Sequence, residues 1–176
     1  MSKVKKKEKK QQEKQTKKFE GRLADVIAED SIILNLTAND KEGVIRELVE
    51  HLAKTGRLKK KDVEEVVERV LEREKGGSTG IGNGVAIPHI KQYEGVKEMV
   101  GVLGCKSVGI DFKAIDGAPC HLIFLLLTPE EQTEEHLKIL RKIALLARDA
   151  ELCAYLRTVN DGKKIRDILI SIDSSS

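Results

Sequence analysis

A histidine at the end of a glycine-rich segment has the clearest chemical potential in this sequence. Residues 76–84 contain five glycines, one serine and one threonine, and the short run Val85-Ala86-Ile87-Pro88 then leads into His89. Glycine allows positive φ and close approach of a ligand, and hydroxyls with successive backbone N–H groups can bind an anion. An imidazole nitrogen can attack phosphorus and hold the phosphoryl group. His89 is therefore a candidate nucleophile facing a phosphate, although the same glycines also suit a tight turn that binds nothing.

Two further side chains could assist such a nucleophile. Arg73 precedes the glycine-rich segment, where it could clamp phosphoryl oxygens at two points or simply complement a helix C-terminus. His136 falls in the first turns of a predicted helix, whose positive end disfavours protonation and keeps an imidazole neutral. The alternative for His136 is an exposed histidine at a helix start. Spacing alone leaves both pairs of alternatives open.

Nucleotide and metal sites are not indicated. The segment contains no lysine, so it does not match the GxxxxGK[ST] loop, and no GxGxxG leads into a long helix with a later acidic residue. The four histidines form no HExxH or similar spacing, and Cys105, Cys120 and Cys153 form no CxxC pair. We therefore expect no cofactor and no metal, and we expect the cysteines to be buried and reduced.

The charge is divided unevenly along the chain. Residues 1–18 hold nine lysines and two glutamates, a net charge of +7, so the rest of the chain carries −4 of the total +3. Proteins that bind single-stranded nucleic acid require aromatic residues between their basic residues, and none lies between these lysines. We therefore predict a disordered tail over residues 1–18 without nucleic-acid binding. No apolar run is long enough to span a bilayer, and the N-terminus lacks a signal core. The sequence thus predicts a cytoplasmic protein with no stable membrane insertion.

Helical periodicity precedes and follows the glycine-rich segment. A helix capped by Thr37 or Asn39 and ended by Gly56 is followed by one that Asp62 opens and Gly76-Gly77 stops. A third helix is predicted to start at Thr128, with Pro129 and Glu131 completing a capping box, or slightly later at Thr133. Its expected apolar face consists of Leu137, Leu140, Ile143, Ala144 and Ala147. Two more helices are predicted over residues 151–158 and 162–171.

Strands alternate with these helices. Residues 31–34, 85–87 and 99–105 are predicted strands, and Gly101 and Gly104 indicate close packing or a bulge. The apolar run of residues 121–127 is typical of a central strand covered on both faces. The fold class is therefore α/β, with a layered single domain over residues 19–176.

Several separated motifs resemble one protein family. They are Leu71-Glu72-Arg73-Glu74, the segment from Gly80 to His89, Phe112 to Gly117, and Pro129 to Leu137. Together they resemble enzyme IIA of the bacterial phosphotransferase system, in its fructose, mannitol and nitrogen-regulatory class. The likeness runs from about Ser31 to Ile172 and leaves out the lysine-rich tail.

The resemblance implies a fold and a set of roles. It implies a mixed β-sheet sandwiched between helices on both faces, and a phosphotransferase that needs no cofactor. His89 corresponds to the phosphorylated histidine, Arg73 to the arginine that steadies the phosphoryl group, and His136 to a second histidine that orients or stabilises it. Thr79, with the neighbouring loop groups of Gly80 and Asn83, is expected to line the phosphate.

The same resemblance implies the partners. A histidine phosphocarrier protein would donate the phosphoryl group, and a separate IIB domain or a regulatory target would receive the signal or the group. None of the cysteines lies in a phosphate loop, so no attached IIB domain is expected. A stand-alone nitrogen-regulatory IIA is the favoured interpretation. The alternatives are a IIA of a fructose or mannitol uptake system, and a binding module on this fold that is never phosphorylated.

Overall fold

The computed structural model describes residues 19–175, so the tail predicted over residues 1–18 lies outside the described residues. Helices and strands alternate through most of this part of the chain, as the sequence predicts. The strands are β1 (Ile32–Ile33), β2 (Gly80–Gly82), β3 (Val85–Ala86), β4 (His89–Ile90), β5 (Val100–Ile110) and β6 (Cys120–Leu127). The helices are α1 (Leu23–Val26), α2 (Lys41–Lys54), α3 (Val63–Lys75), α4 (Thr133–Arg148), α5 (Ala150–Leu156) and α6 (Gly162–Ser175).

The six strands form one mixed sheet with β6 at its centre. The order is β1-β5-β6-β3-β2, and β4 also pairs with β6, beyond β3 along the same edge. β5 and β6 are antiparallel, whereas β3 and β4 run parallel to β6. This arrangement places His89 opposite Leu126, near the C-terminal end of the central strand.

Strand β6 explains why helices cover both faces of the sheet. Every one of its residues is buried, and successive side chains of a strand point to opposite faces. Ile123, Leu125 and Leu127 pack toward α2 and α3. The residues between them pack toward α1, α4, α5 and α6. The predicted mixed sheet between two helical layers is confirmed.

Two glycines of β5 let both helical layers approach the sheet. A Cβ atom at Gly101 would lie 2.8 Å from side-chain atoms of Val26 and Ile27, and one at Gly104 would lie 2.7 Å from Leu36 and 2.8 Å from Leu48. Such distances are too short for real Cβ contacts, so a larger residue would push the layers apart. Close packing, one of the two predicted reasons for these glycines, is confirmed.

The start of α2 differs from the prediction. Asp40 is the N-cap, and its carboxylate accepts a 2.6 Å hydrogen bond from the N–H of Gly43. Neither Thr37 nor Asn39 caps the helix: the N–H of Thr37 is bonded to the Glu47 carboxylate at 3.0 Å, and the side-chain oxygen of Asn39 accepts from Lys106 at 3.0 Å. A cap must lie directly before the first turn, and of the polar residues here Asp40 meets that requirement.

The start of α4 is the later of the two predicted starts, and the predicted start at Thr128 is wrong. Thr128 and Pro129 stay extended, a single 3₁₀ turn spans Glu130–Gln132, and the α-helix begins at Thr133. The buried face is made by His136, Ile139, Ile143, Leu146 and Ala147. Leu137 is 46% exposed, and Ala144 is exposed too. This helix is apolar over more than one face, so its periodicity alone did not fix which side meets the sheet.

The three cysteines are free and buried, as predicted. Burial raises the pKa of both Cys105 and Cys120 to about 11, so these groups are thiols at neutral pH. Within residues 19–175 no helix combines the length and the apolar character that a membrane crossing requires.

Candidate phosphoryl-transfer site

His89 lies in β4, and one of its ring nitrogens forms a hydrogen bond while the other does not. The ring shares a sheet face with Leu126, which directs it toward α4, and the residue is 8% exposed. Its Nδ1 lies 2.7 Å from the carbonyl oxygen of Ile87. A carbonyl can only accept, so Nδ1 carries the proton and donates it. Nε2 therefore keeps its lone pair, which is the requirement for a nucleophile.

The surroundings of His89 favour a neutral ring. Burial lowers the pKa of His89, and the positive charges of Arg73 and Lys91 lower it further, while the Ile87 carbonyl and Glu74 act in the opposite direction. The net direction is downward from the ordinary value of 6.5. At neutral pH most of the protein therefore presents an unprotonated Nε2.

His136 is fully buried beside His89, which excludes the exposed helix-start alternative. The two ring centroids are 5.2 Å apart, with their planes inclined at 51°. Nδ1 of His136 lies 2.7 Å from the hydroxyl oxygen of Thr128, whereas its Nε2 is buried without a hydrogen-bond partner. Burial, together with the charges of His89 and Lys91, lowers the pKa of His136 to about 4. An unpartnered ring nitrogen in a buried site is costly, and a bound polar group would satisfy it.

Arg73 occupies the last turn of α3, and its guanidinium is exposed. Its Nη1 donates a 3.0 Å hydrogen bond to the carbonyl of Gly77. Two residues later, the carbonyl of Thr79 accepts from the N–H of Ile87, so this segment runs alongside the strand that leads to His89. Arg73 thus borders His89 closely enough to lower its pKa, and the remaining N–H groups of its guanidinium have no acceptor among residues 19–175.

The glycine-rich segment is a β-hairpin and not an open anion cradle. β2 and β3 pair with each other, and Asn83 and Gly84 form the turn with φ of 51° and 77°. The donors of Thr79 are bonded to the Glu74 carboxylate, and the N–H of Gly80 is bonded to the Ser78 hydroxyl at 3.0 Å. These groups lie near the site, but their hydrogen bonds already stabilise the hairpin.

Asn83 lies away from His89. Val85 pairs with Leu122 while His89 pairs with Leu126. Four residues of strand amount to about 13 Å, so the hairpin turn is at the opposite end of β6. The Asn83 side chain donates a 2.6 Å hydrogen bond to the carbonyl of Ala147, and its N–H bonds to Asp116. We therefore leave Asn83 out of the candidate site.

Two residues to which the sequence analysis assigned no role in the site belong to its surroundings. Thr128 orients His136, although its pattern suggested a helix cap. Glu74 is buried, bonds to Thr79 and forms a 2.8 Å ion pair with Lys41. A glutamate two residues before the first glycine was a weak signal, because exposed glutamates are common in a last helical turn. Among residues 19–175 no group of three metal-ligating side chains is assembled.

Comparisons with known proteins point in one direction. The family described as "Phosphoenolpyruvate-dependent sugar phosphotransferase system, EIIA 2" matches residues 25–172. A nitrogen regulatory protein of Bradyrhizobium diazoefficiens is 37% identical over 147 residues, which cover 84% of this chain and 94% of that protein. The fructose-specific EIIABC component of Bacillus subtilis is 32% identical over 148 residues, covering 84% of this chain but 23% of that protein.

Solved structures share the fold. The nitrogen regulatory protein IIA-Ntr of Neisseria meningitidis has a TM-score of 0.75 and 35% identity, covering 83% of this chain and 97% of that one. The mannitol enzyme IIA of Escherichia coli, solved in complex with phosphorylated mannitol enzyme IIB, has a TM-score of 0.68 and 23% identity, with 82% and 96% coverage. At that identity the second likeness concerns the fold alone.

Proposed function

Because this chain belongs to the EIIA type 2 family of the phosphoenolpyruvate-dependent sugar phosphotransferase system, we propose that it is a phosphocarrier that accepts a phosphoryl group on Nε2 of His89. The observation that carries this proposal is the pair of buried histidine rings 5.2 Å apart, each with an Nε2 that no hydrogen bond occupies. Nδ1 of His89 is engaged by Ile87, so the assignment is specific to Nε2.

The chemistry needs a nucleophile, alignment and charge stabilisation. Nε2 of His89 forms a bond to phosphorus while the bond from phosphorus to the donor's histidine nitrogen breaks, and the electron pair returns to that nitrogen. Such transfers pass through a loose, in-line transition state, so positioning supplies most of the acceleration. The Ile87 carbonyl fixes the ring plane, and the lowered pKa of His89 keeps the lone pair available.

Arg73 and His136 act on the phosphoryl oxygens. Arg73 is held by one N–H at Gly77, and its remaining donors can form charge-assisted bonds to the group in transit. The Thr128 hydroxyl has His136 as its partner. When Thr128 donates to Nδ1, the proton of His136 sits on Nε2, where a neutral N–H donor can stabilise a phosphoryl oxygen.

A histidine phosphocarrier protein is the donor that this chemistry fits. Three exposed apolar side chains, Ile81 and Ile115 near the hairpin and Leu137 beside His136 in α4, offer contact area to a protein. Ile115 is tied to β2 by a 3.1 Å bond from its N–H to the Gly80 carbonyl. A phosphoryl group on a protein can therefore reach His89 without a nucleotide.

A nitrogen-regulatory role is the favoured branch of this function. The chain matches 94% of the nitrogen regulatory protein of Bradyrhizobium diazoefficiens, but only 23% of the fructose-specific EIIABC component of Bacillus subtilis. In this role phosphorylation adds up to about −2 charge at the site and changes which protein binds there. The second candidate is a IIA that donates to a separate IIB of a fructose or mannitol system. It is favoured by the fructose EIIABC relative and by the mannitol IIA–IIB complex on the same fold.

The test is labelling with phosphoenolpyruvate in the presence of enzyme I and a histidine phosphocarrier protein. We expect acid-labile label on the wild-type protein and on the control His121→Ala, and none on His89→Ala. Equal label on His89→Ala would refute the site. An unlabelled wild-type protein would support the third alternative, a binding module that is never phosphorylated. Incubating the labelled protein with a fructose-type IIB domain then separates the branches, because loss of label favours transport and retention favours regulation.

A further inference from the structure

A buried carboxylate stands directly behind the candidate site. The side chain of Glu74 is 3% exposed, and it forms a 2.8 Å ion pair with Lys41. It also accepts hydrogen bonds from the N–H of Thr79, at 3.3 Å, and from the Thr79 hydroxyl. Buried charges are costly unless they are paired and bonded, so this arrangement needs a reason beyond solubility.

A continuous line of contacts leads from Glu74 to the nucleophile. Glu74 holds Thr79, the Thr79 carbonyl accepts from the N–H of Ile87 at 3.1 Å, and the Ile87 carbonyl accepts from Nδ1 of His89 at 2.7 Å. Arg73, the residue before Glu74, holds Gly77 from the solvent side. Consecutive residues of the last turn of α3 therefore grip the same segment from opposite sides.

The sign of the charge matters as well as the position. His89 attacks as a neutral imidazole and keeps its Nδ1 proton, so the ring gains positive charge as the bond from Nε2 to phosphorus forms. Arg73 and Lys91 favour the phosphoryl oxygens but disfavour a charged ring, and burial disfavours it too. Among the charged side chains of residues 19–175 that act on His89, Glu74 is the one whose charge favours a positive ring.

We propose that Glu74 is a positioning residue for phosphoryl transfer, which fixes the His89 ring through Thr79 and Ile87 and stabilises the positive charge that the ring acquires. This inference rests on the proposed function of His89. Lys41 belongs to the same device, because it holds the buried carboxylate in place by their ion pair and itself lies 5.1 Å above the Phe112 ring. No atom of Glu74 contacts the phosphoryl group, and the Nδ1 proton stays on His89 throughout.

The test compares Glu74→Gln with Glu72→Gln, an exposed glutamate of the same helix. Two quantities are measured: the rate of transfer from the phosphorylated carrier, and the pH titration of His89 by NMR in the unphosphorylated protein. For Glu74→Gln we expect a rate lower by about tenfold, the scale seen when the partner behind a ligating histidine is lost. We also expect the pKa of His89 to fall further, because the counter-charge is gone. Glu72→Gln should leave both quantities at their wild-type values.

A folded Glu74→Gln variant whose His89 titrates as in the wild type would overturn the proposal, whatever its rate. The double variant Lys41→Met with Glu74→Gln leaves no stranded lysine, and it replaces the single variant if that fails to fold. In the double variant too, a wild-type rate would overturn the proposal. A wild-type protein that accepts no phosphoryl group would count against the proposed function itself, whereas equal labelling rates of wild type and Glu74→Gln would count against Glu74 alone.

Discussion

The two ends of β6 carry similar residue types but differ in how those residues are grouped. At the C-terminal end, His89 and His136 each keep a free Nε2, and Arg73 uses one donor on a backbone carbonyl. At the N-terminal end, His121 bonds to the carbonyl of Lys106 at 2.8 Å, and Arg157 bonds to the carbonyl of Asn83 at 3.3 Å. Each end therefore has a histidine and an arginine near the same hairpin.

The difference lies in what the residues are grouped with. At the N-terminal end the Asn83 amide is bonded to Ala147, and the Arg157 guanidinium lies over Gly84, where an added Cβ would meet it at 2.4 Å. These contacts join the hairpin to the second helical layer. At the C-terminal end the rings of His89 and His136 lie 5.2 Å apart, and Nε2 of His136 is buried without a hydrogen-bond partner. Residue type did not separate a structural end from a chemical one, but the pairing of two buried rings does.

The sharpest test of this comparison exchanges the two arginines for alanine. Arg73→Ala should slow phosphoryl transfer by about 100-fold, since losing one preorganised donor costs that much in other enzymes. Arg157→Ala should transfer at the wild-type rate. Arg73→Lys should fall between them, because lysine keeps the charge but not the two-point geometry. Rapid-quench labelling measures all four proteins, and equal rates for the two alanine variants would reduce Arg73 to a residue that only completes α3.

A second test uses pH to probe the cost of the buried ring. The pKa of His136 is lowered to about 4 from 6.5, so between these values the unfolded chain binds a proton that the folded protein does not. Folding stability should therefore be complete above pH 6.5 and fall toward pH 4, by on the order of 2 kcal/mol from this group. Urea unfolding at several pH values measures it. The free energy of unfolding of His136→Gln should decline less steeply with falling pH than that of the wild type, and that of the exposed control Leu137→Gln should decline as in the wild type. Identical pH profiles for His136→Gln and the wild type would show that burial of His136 does not lower stability at acidic pH.

The smallest expected effect lies at the N-terminal end of β6. Asn83→Ala removes the bond to Ala147 and places alanine at positive φ, so we expect about 1–2 kcal/mol less stability. Transfer to His89 should keep its wild-type rate. Asn83→Gly tolerates the backbone and should lose less. A transfer rate that falls with Asn83→Ala in a stable protein would return this residue to the site and blur the contrast between the two ends.

Much of the fold follows from local patterns in the sequence. The apolar run that became β6 could only be a strand covered twice, and the glycines after α3 stop that helix as expected. The spacing of apolar residues could not predict which face of α4 is buried, because Leu137 and Ile139 are both apolar. Packing against the sheet buries Ile139 and leaves Leu137 exposed. The buried side of α4 is the side that carries His136.

The candidate site was predictable in part, and mainly through resemblance. Nothing in the spacing of Arg73, His89 and His136 indicated that β4 and α4 would bring two rings within 5.2 Å of each other. Thr128 and Thr79 illustrate what the sequence could not predict. Each is a small polar residue near a helix end, and the hydroxyl of each forms a hydrogen bond with a charged or titratable side chain that the sequence did not identify as its partner. Such pairings depend on tertiary contacts, which a local pattern does not encode.

The parallel pairing of β4 with β6 also has a kinetic consequence. His89 pairs with Leu126, although all of β5 lies between them in the sequence, and His136 follows β6 in the chain. Contacts between such distant parts of a chain form slowly, because the chain loses the entropy of the closed loop before the pairing contributes any stabilisation. The nucleophile is thus assembled only once the sheet has closed around its central strand. Competence to accept a phosphoryl group would then mark a finished molecule, and in a refolding experiment its recovery should follow the slowest phase.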